Sequence, residues 1–168
     1  MPGLTVPETA DLERRHLLID HLHVVLPEGH RLARREEVSL ADLESEPLIL
    51  PRRDTPAGRF RSVVEHLCAK AGFAPRVAYE LDDLPAAQAF VAAGIALVPM
   101  HGLLLATLPP GATARPLSER PDGSRTIEAL APAASRSSMA DDLLDRLTAA
   151  AQAYAATRRT GPSARARE

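Results

Sequence analysis

Residues 22–51, LHVVLPEGHRLARREEVSLADLESEPLILP, constrain the fold more than any other stretch of the chain. The apolar run Leu22–Leu26 reads as a strand that ends at Pro27, where no N–H remains for a ladder. A polar turn follows, with Gly29, His30 and Arg31-Leu32-Ala33. Ser39 then opens a short helix through Asp42 and Leu43; its side chain suits the orphan amides, and Asp42 and Glu44 suit the dipole. Pro47 and Pro51 bound a second β-rich run, Leu48-Ile49-Leu50. Strand, short helix and strand thus follow one another within thirty residues.

The same alternation continues. Strands are expected near 20–26, 48–51, 76–81, 95–98, 113–117 and 125–131, and helices near 40–45, 57–71, 84–93, 100–106 and 138–156. In the helix at 57–71, Phe60, Val63, Val64, Leu67 and Cys68 fall at i, i+3, i+4, i+7 and i+8, which is one apolar face. Gly72 stands at its stop. In the helix at 138–156, Met139, Leu143, Leu144, Leu147 and Ala151 have similar spacing, and Ser138 with Asp141 resembles a capping box. Strand–helix alternation at these spacings predicts a parallel α/β sheet. Ligands of such sheets bind beyond the carboxyl ends of the strands, where helix starts expose amides. Three loops occupy that position: Arg52–Gly58, Asp82–Leu84 and Pro99–Gly102.

Composition narrows the function classes. With three Phe, two Tyr and no Trp, the core must be built from Leu, Val, Ile and Ala. A net charge of −2 gives no basic footprint for nucleic acid. Cys68 is the single cysteine, which excludes an internal disulfide and a cysteine-rich zinc site. His21 and His23 share a strand face, but no companion ligand has a usable spacing, so no metal is expected. Cys68 lies on the apolar helix face and reads as an inert buried thiol. No G-x-S-x-G, P-loop, H-E-x-x-H or G-x-G-x-x-G motif occurs, and neither an enzyme nor a cofactor is expected. No 18-residue apolar stretch or leader pattern is present, which predicts a cytoplasmic protein without membrane contact.

The 22–51 stretch resembles a signature of the effector domain of LysR-type transcriptional regulators, V-L-P-x-x-H-x-L-A, then V-S-L-A-D-L, then E-P-x-I. The order holds further on: Ala71-Gly72-Phe73-Ala74-Pro75-Arg76-Val77, then Asp82-Asp83 with Ala87, Phe90 and Val91-Ala92-Ala93-Gly94, then Ile95-Ala96-Leu97-Val98-Pro99. Arg115-Pro116-Leu117 and Arg125-Thr126-Ile127 are similar to the return strands. Two departures stand out. Arg31 follows His30 where the family usually has Pro, and the turn between Gly94 and the next strand is two residues short.

The resemblance implies a three-layer α/β sheet like the type II periplasmic-binding-protein-like effector domain, incomplete because no helix-turn-helix or first βαβ segment precedes Asp11. It implies a flexible start over 1–10 and a crossover strand from subdomain I over 11–26. Subdomain II would span 27–117, a return to subdomain I with its helix 118–156, and a disordered tail 157–168. The implied function is sensing of a small anionic effector in a cleft, without direct DNA binding by this chain and with homo-oligomers as partners. The alternatives are an interaction or dimerisation module and, less favoured, a hydrolase or transferase.

The implied site residues are Arg52, Arg53, Thr55, Asp83, Pro99 and His101. Arg52 and Arg53 suit an anion, or a solvated turn. Thr55 suits a carboxylate at a helix start, or a cap. Asp83, before Leu84-Pro85, suits a cap or an effector contact. Pro99 and His101 sit at the third loop.

Overall fold

The computed structural model describes residues 12–119, 122–132 and 137–159. The chain forms two compact units. The larger one is Asp20–Arg125; the smaller one is built from the segments on either side of it.

In the larger unit the strands are β2 (Leu22–Pro27), β3 (Pro47–Leu50), β4 (Arg76–Glu80), β5 (Val98–His101) and β6 (Ala112–Pro116). β2 is central, with β5 and β6 antiparallel on its two sides. β3 and β4 pair in parallel, and β3 is joined to β5 by a parallel bridge between Leu48 and Leu97. The sheet is therefore mixed, not parallel as expected. A continuous apolar run such as Val24-Val25-Leu26 marks burial on both faces, and a central antiparallel strand meets that condition as well as a parallel one.

Helices cover both faces, giving three layers. On one side, Leu22, Val24, Leu26, Leu48 and Leu50 meet Val64, Leu67 and Cys68 of α1 (Gly58–Lys70). On the other, Val25 and Ile49 meet Ala87 and Val91 of α2 (Leu84–Ala92). Alternate residues of one strand thus enter two different cores, as the period of two dictates. Burying one Leu or Ile side chain contributes about 1.5–3 kcal/mol. Short 3-10 turns at Arg31–Arg34 and Leu40–Leu43 close the connection from β2 to β3. Ser39 caps the second of them in a full capping box with Asp42.

Both helices end on glycines in the left-handed region, Gly72 at φ 95° and Gly94 at φ 75°. The Gly94 and Ile95 amides return to the carbonyls of Val91 (2.8 Å) and Phe90 (3.1 Å), the Schellman pattern. Residues 93–95 are spent on that ending, so β5 begins at Val98 and not at Ile95. Pro99 and His101, expected in a loop, are therefore strand residues. The Leu97 N–H donates to Pro47 O and the Ile49 N–H to Leu97 O, both at 2.8 Å. The next rung would call on an N–H at position 99; Pro99 has none, and the ladder to β3 stops there.

The smaller unit contains β1 (Leu12–Asp20), β7 (Arg125–Pro132) and α3 (Ser138–Arg159). β1 pairs with β7. The stretch 11–26 holds two strands, β1 and β2, and the chain passes from the smaller unit to the larger one between Ile19 and Asp20. Arg15 of β1 reaches Asp145 of α3 at 2.7 Å. The Ser137 hydroxyl accepts the Ala140 N–H at 3.3 Å, so Ser137, not Ser138, is the capping residue. α3 runs on to Arg159, past the expected start of the tail at 157. The expected start over 1–10 and the tail beyond 159 lie outside the described residues. Among the described residues no helix is long and apolar enough to cross a membrane.

Candidate functional site

β3, β4 and β5 run the same way, so their carboxyl ends share one rim of the sheet. The loop after β3 is held to the loop after β4 by one carboxylate. Asp82 Oδ1 accepts the Arg52 N–H at 3.1 Å and lies 3.0 Å from Thr55 Oγ1. That hydroxyl is also 3.1 Å from Arg52 O, so its single proton serves one of two acceptors. Thr55 does not cap α1, whose first residue follows Ala57 without a side-chain cap. Asp83, beside it, does cap: its Oδ1 accepts the Ala86 N–H at 2.9 Å, with Pro in the first turn.

The two arginines expected to meet an anion are each committed to a carboxylate. Arg52 holds Asp54 through Nε (3.2 Å) and Nη2 (2.8 Å), and both side chains are exposed. That hydrogen bond is the chief reason the Asp54 carboxyl is held below its ordinary range. Arg53 turns away and takes both oxygens of Glu65 at 2.9 and 2.7 Å.

A residue that sequence reasoning missed organises the loop. Arg61 of α1 is buried; its Nε donates to Glu65 at 2.9 Å and its Nη1 to Pro51 O at 3.1 Å and to Glu80 at the end of β4. The hydrogen bonds to Glu65 and then Glu80 raise its pKa above the ordinary value. Its spacing to Glu65, i to i+4 on a helix, was the available signal. Gly58 completes the turn. A Cβ there would stand 2.4 Å from Arg53 O, so only glycine lets the loop cross the helix start.

α1 also reaches the third part of the rim. Its Phe60 ring lies 5.2 Å from the ring of His101, tilted by 55°. His101 is buried at the end of β5, opposite Leu22. Burial first, then the Arg125 charge, pushes its pKa down to about 4, so the imidazole is neutral near pH 7. Pro99, opposite Val24, is buried within the sheet and offers the rim no side chain. The structure thus brings Arg52, Thr55 and Asp83 to one place around Asp82, links His101 to it through α1, and directs Arg53 and Pro99 elsewhere.

Burial pushes the Cys68 thiol up to about 11. His21 Nδ1 is 2.7 Å from Ser124 Oγ, and His23 Nδ1 is 3.0 Å from His21 O. Among the described residues no group of three or more His, Cys, Asp or Glu side chains could hold a metal ion.

Known proteins resemble this chain over most of its length. The family model of the LysR substrate binding domain matches residues 3–152. The HTH-type transcriptional regulator ShiR of Corynebacterium glutamicum (strain R) is 35% identical over 121 residues, 70% of this chain and 39% of that protein. The transcriptional dual regulator GltC of Bacillus subtilis (strain 168) is 29% identical over 124 residues, 73% of this chain and 40% of its own. The chain therefore spans about two fifths of the length of these relatives. Among solved structures, the regulatory domain of Synechocystis PCC6803 CcmR, in complex with 2-PG, superposes with a TM-score of 0.65. The likeness covers 86% of this chain and 69% of that one, and at 23% identity it shows the fold.

Proposed function

The chain belongs to the LysR substrate-binding domain family, and from that premise we propose that it is the effector-sensing part of a transcriptional regulator, acting by binding and not by catalysis. The observation that carries the reading is the shared rim, where Asp82 ties Arg52 and Thr55 together beside the capped start of α2. The CcmR regulatory domain, of the same fold, is known in complex with 2-PG, which supports a small molecule as the ligand. Occupancy would shift a two-state equilibrium of the domain. The site of action would be the cytoplasm, and this chain would not itself read DNA.

The finer reading is that the ligand carries an anionic group. Around the rim stand Asp54, Glu80, Asp82 and Asp83 against Arg52 and Arg61, an excess of acid. An anion is therefore accepted only by exchange, and Arg52 is the residue able to exchange, because an exposed ion pair in water is weak. Titration calorimetry with small mono- and dicarboxylates tests this. Asp54→Asn should strengthen carboxylate binding and Arg52→Ala should weaken it. Equal binding of neutral amide analogues, or no response to Asp54→Asn, would reject the anionic reading. Thr55→Ala should cost about 0.5–1.5 kcal/mol of affinity where the hydroxyl contacts the ligand.

One observation favours a second reading, self-association. Met139, Leu143 and Leu147 of α3, at i, i+4 and i+8, are 78%, 57% and 41% exposed. An apolar helical stripe left to water is a docking surface or a liability, and a second copy is the simplest occupant. Sedimentation at micromolar concentration should show dimers that Leu143→Glu abolishes; an 18.0 kDa monomer throughout would remove this reading.

A further inference from the structure

The chain passes between the two units at two places, from Ile19 to Asp20 and from Arg125 to Thr126. The two residues on the larger unit's side of these crossings are bound to each other. Asp20 Oδ2 accepts Arg125 Nε at 3.0 Å and Nη2 at 2.9 Å. The Asp20 side chain is 1% exposed, whereas that of Arg125 is 43% exposed. The other oxygen, Oδ1, accepts the Leu103 N–H at 3.0 Å, in the first turn of the Gly102–Thr107 3-10 helix. The neighbouring residues repeat the pattern. His21 Nδ1 lies 2.7 Å from Ser124 Oγ, and the Gly102 N–H donates to His21 O at 3.0 Å. Gly102 makes the close approach possible, since a Cβ there would stand 3.0 Å from Asp20 Oδ1 and 3.3 Å from His23 Cε1.

We propose that Asp20 is a hinge clasp: one buried carboxylate fastens both crossings to each other and to the residues that follow His101 on the candidate rim. The physical reason is the cost of leaving such a group alone. A buried carboxylate stays only while its hydrogen bonds are filled, so loosening either crossing releases the other and the 3-10 turn together. Residues 20–21, 101–103 and 123–125 then open and close as one element, which is what a hinge needs in order to be switched and not merely bent. His101 is common to this element and to the rim, through Phe60. A ligand packed at that end of the rim would bias the clasp; this last step rests on the effector-sensing reading, whereas the clasp itself does not.

Amide hydrogen exchange on the full chain tests the clasp without any ligand, so the two readings fail separately. Arg125 is partly exposed, and Arg125→Gln should fold. It should speed exchange about tenfold or more at His21, Leu22 and Leu103, although Leu103 does not touch Arg125, while Leu48–Leu50 stay protected. Asp20→Asn keeps an acceptor for Leu103 and removes the charge; the double variant should resemble it instead of showing the sum of both changes. Arg125→Lys, which keeps charge but not the fork, should fall between wild type and Arg125→Gln. Exchange that rises only at Ser124–Thr126, or single effects that add, would overturn the proposal.

Discussion

The two units solve the same problem differently. In the larger one, Val24, Val25, Leu26, Leu48, Ile49 and Leu50 are all completely buried, because helices cover the sheet on both faces. In the smaller one, α3 buries Leu144 and Ala151 but leaves Met139, Leu143 and Leu147 of the same apolar stripe in water. In sequence α1 and α3 each carry an apolar stripe at helical spacing. Periodicity thus tells which face of a helix is apolar, not whether anything in the same chain covers it. The candidate rim is mounted entirely on the unit that completes its own core, which gives its loops a rigid base.

The largest expected effect breaks or confirms that contrast directly. Ile49→Ala should lower stability by about 2–5 kcal/mol in equilibrium denaturation, whereas Leu143→Ala should change it by less than about 0.5 kcal/mol. Similar losses for the two would mean that α3 is covered in solution. Arg61→Ala comes next. It leaves Glu65 with Arg53 alone, takes Glu80's ion-pair partner and releases Pro51 O, and should cost about 1–3 kcal/mol, less than a fully buried pair because Glu65 keeps a partner and Glu80 is half exposed.

The third expectation concerns acid. His101 binds its proton near pH 4 when folded but near 6.5 when unfolded. Between those values the unfolded chain holds more protons, so stability falls as pH drops from about 6.5 toward 4, by roughly 3 kcal/mol. His101→Gln should flatten that part of the pH–stability curve; an unchanged slope would place its cause elsewhere. The smallest effect sharpens the picture of the rim. Asp83→Ala should cost about 1 kcal/mol through the lost cap of α2. A ligand affinity unchanged in that variant would confine Asp83 to capping.

Much of the larger unit was legible in sequence because its punctuation is local. Pro47 and Pro51 bracket β3, Ser39 and Asp42 build a capping box, and Gly72 ends α1. The position of β5 was not legible. Ile95-Ala96-Leu97-Val98 has strand propensity, but the Schellman ending of α2 takes the first residues of that run. Strand direction was hidden for the same reason that the core was visible: burial on two faces erases the alternation that marks an antiparallel strand. At the rim, sequence placed Arg52, Thr55 and Asp83 near one another but could not foresee that Arg53 would choose Glu65. Arg61 was readable from its i, i+4 partner. Asp20 and Arg125 were not, since 105 residues separate them and only the fold brings them together.

The central claim is that the rim formed by Arg52–Gly58, Asp82–Leu84 and His101 receives a small molecule. Amide chemical-shift mapping of the chain against a panel of small carboxylates tests it most directly. The account predicts shifts at Arg52, Thr55 and Gly58, at Asp82 and Leu84, and at His101 and Leu103, lost together in Arg52→Ala. Shifts confined to the opposite rim, around Gly72–Pro75 and Gly94, would contradict it.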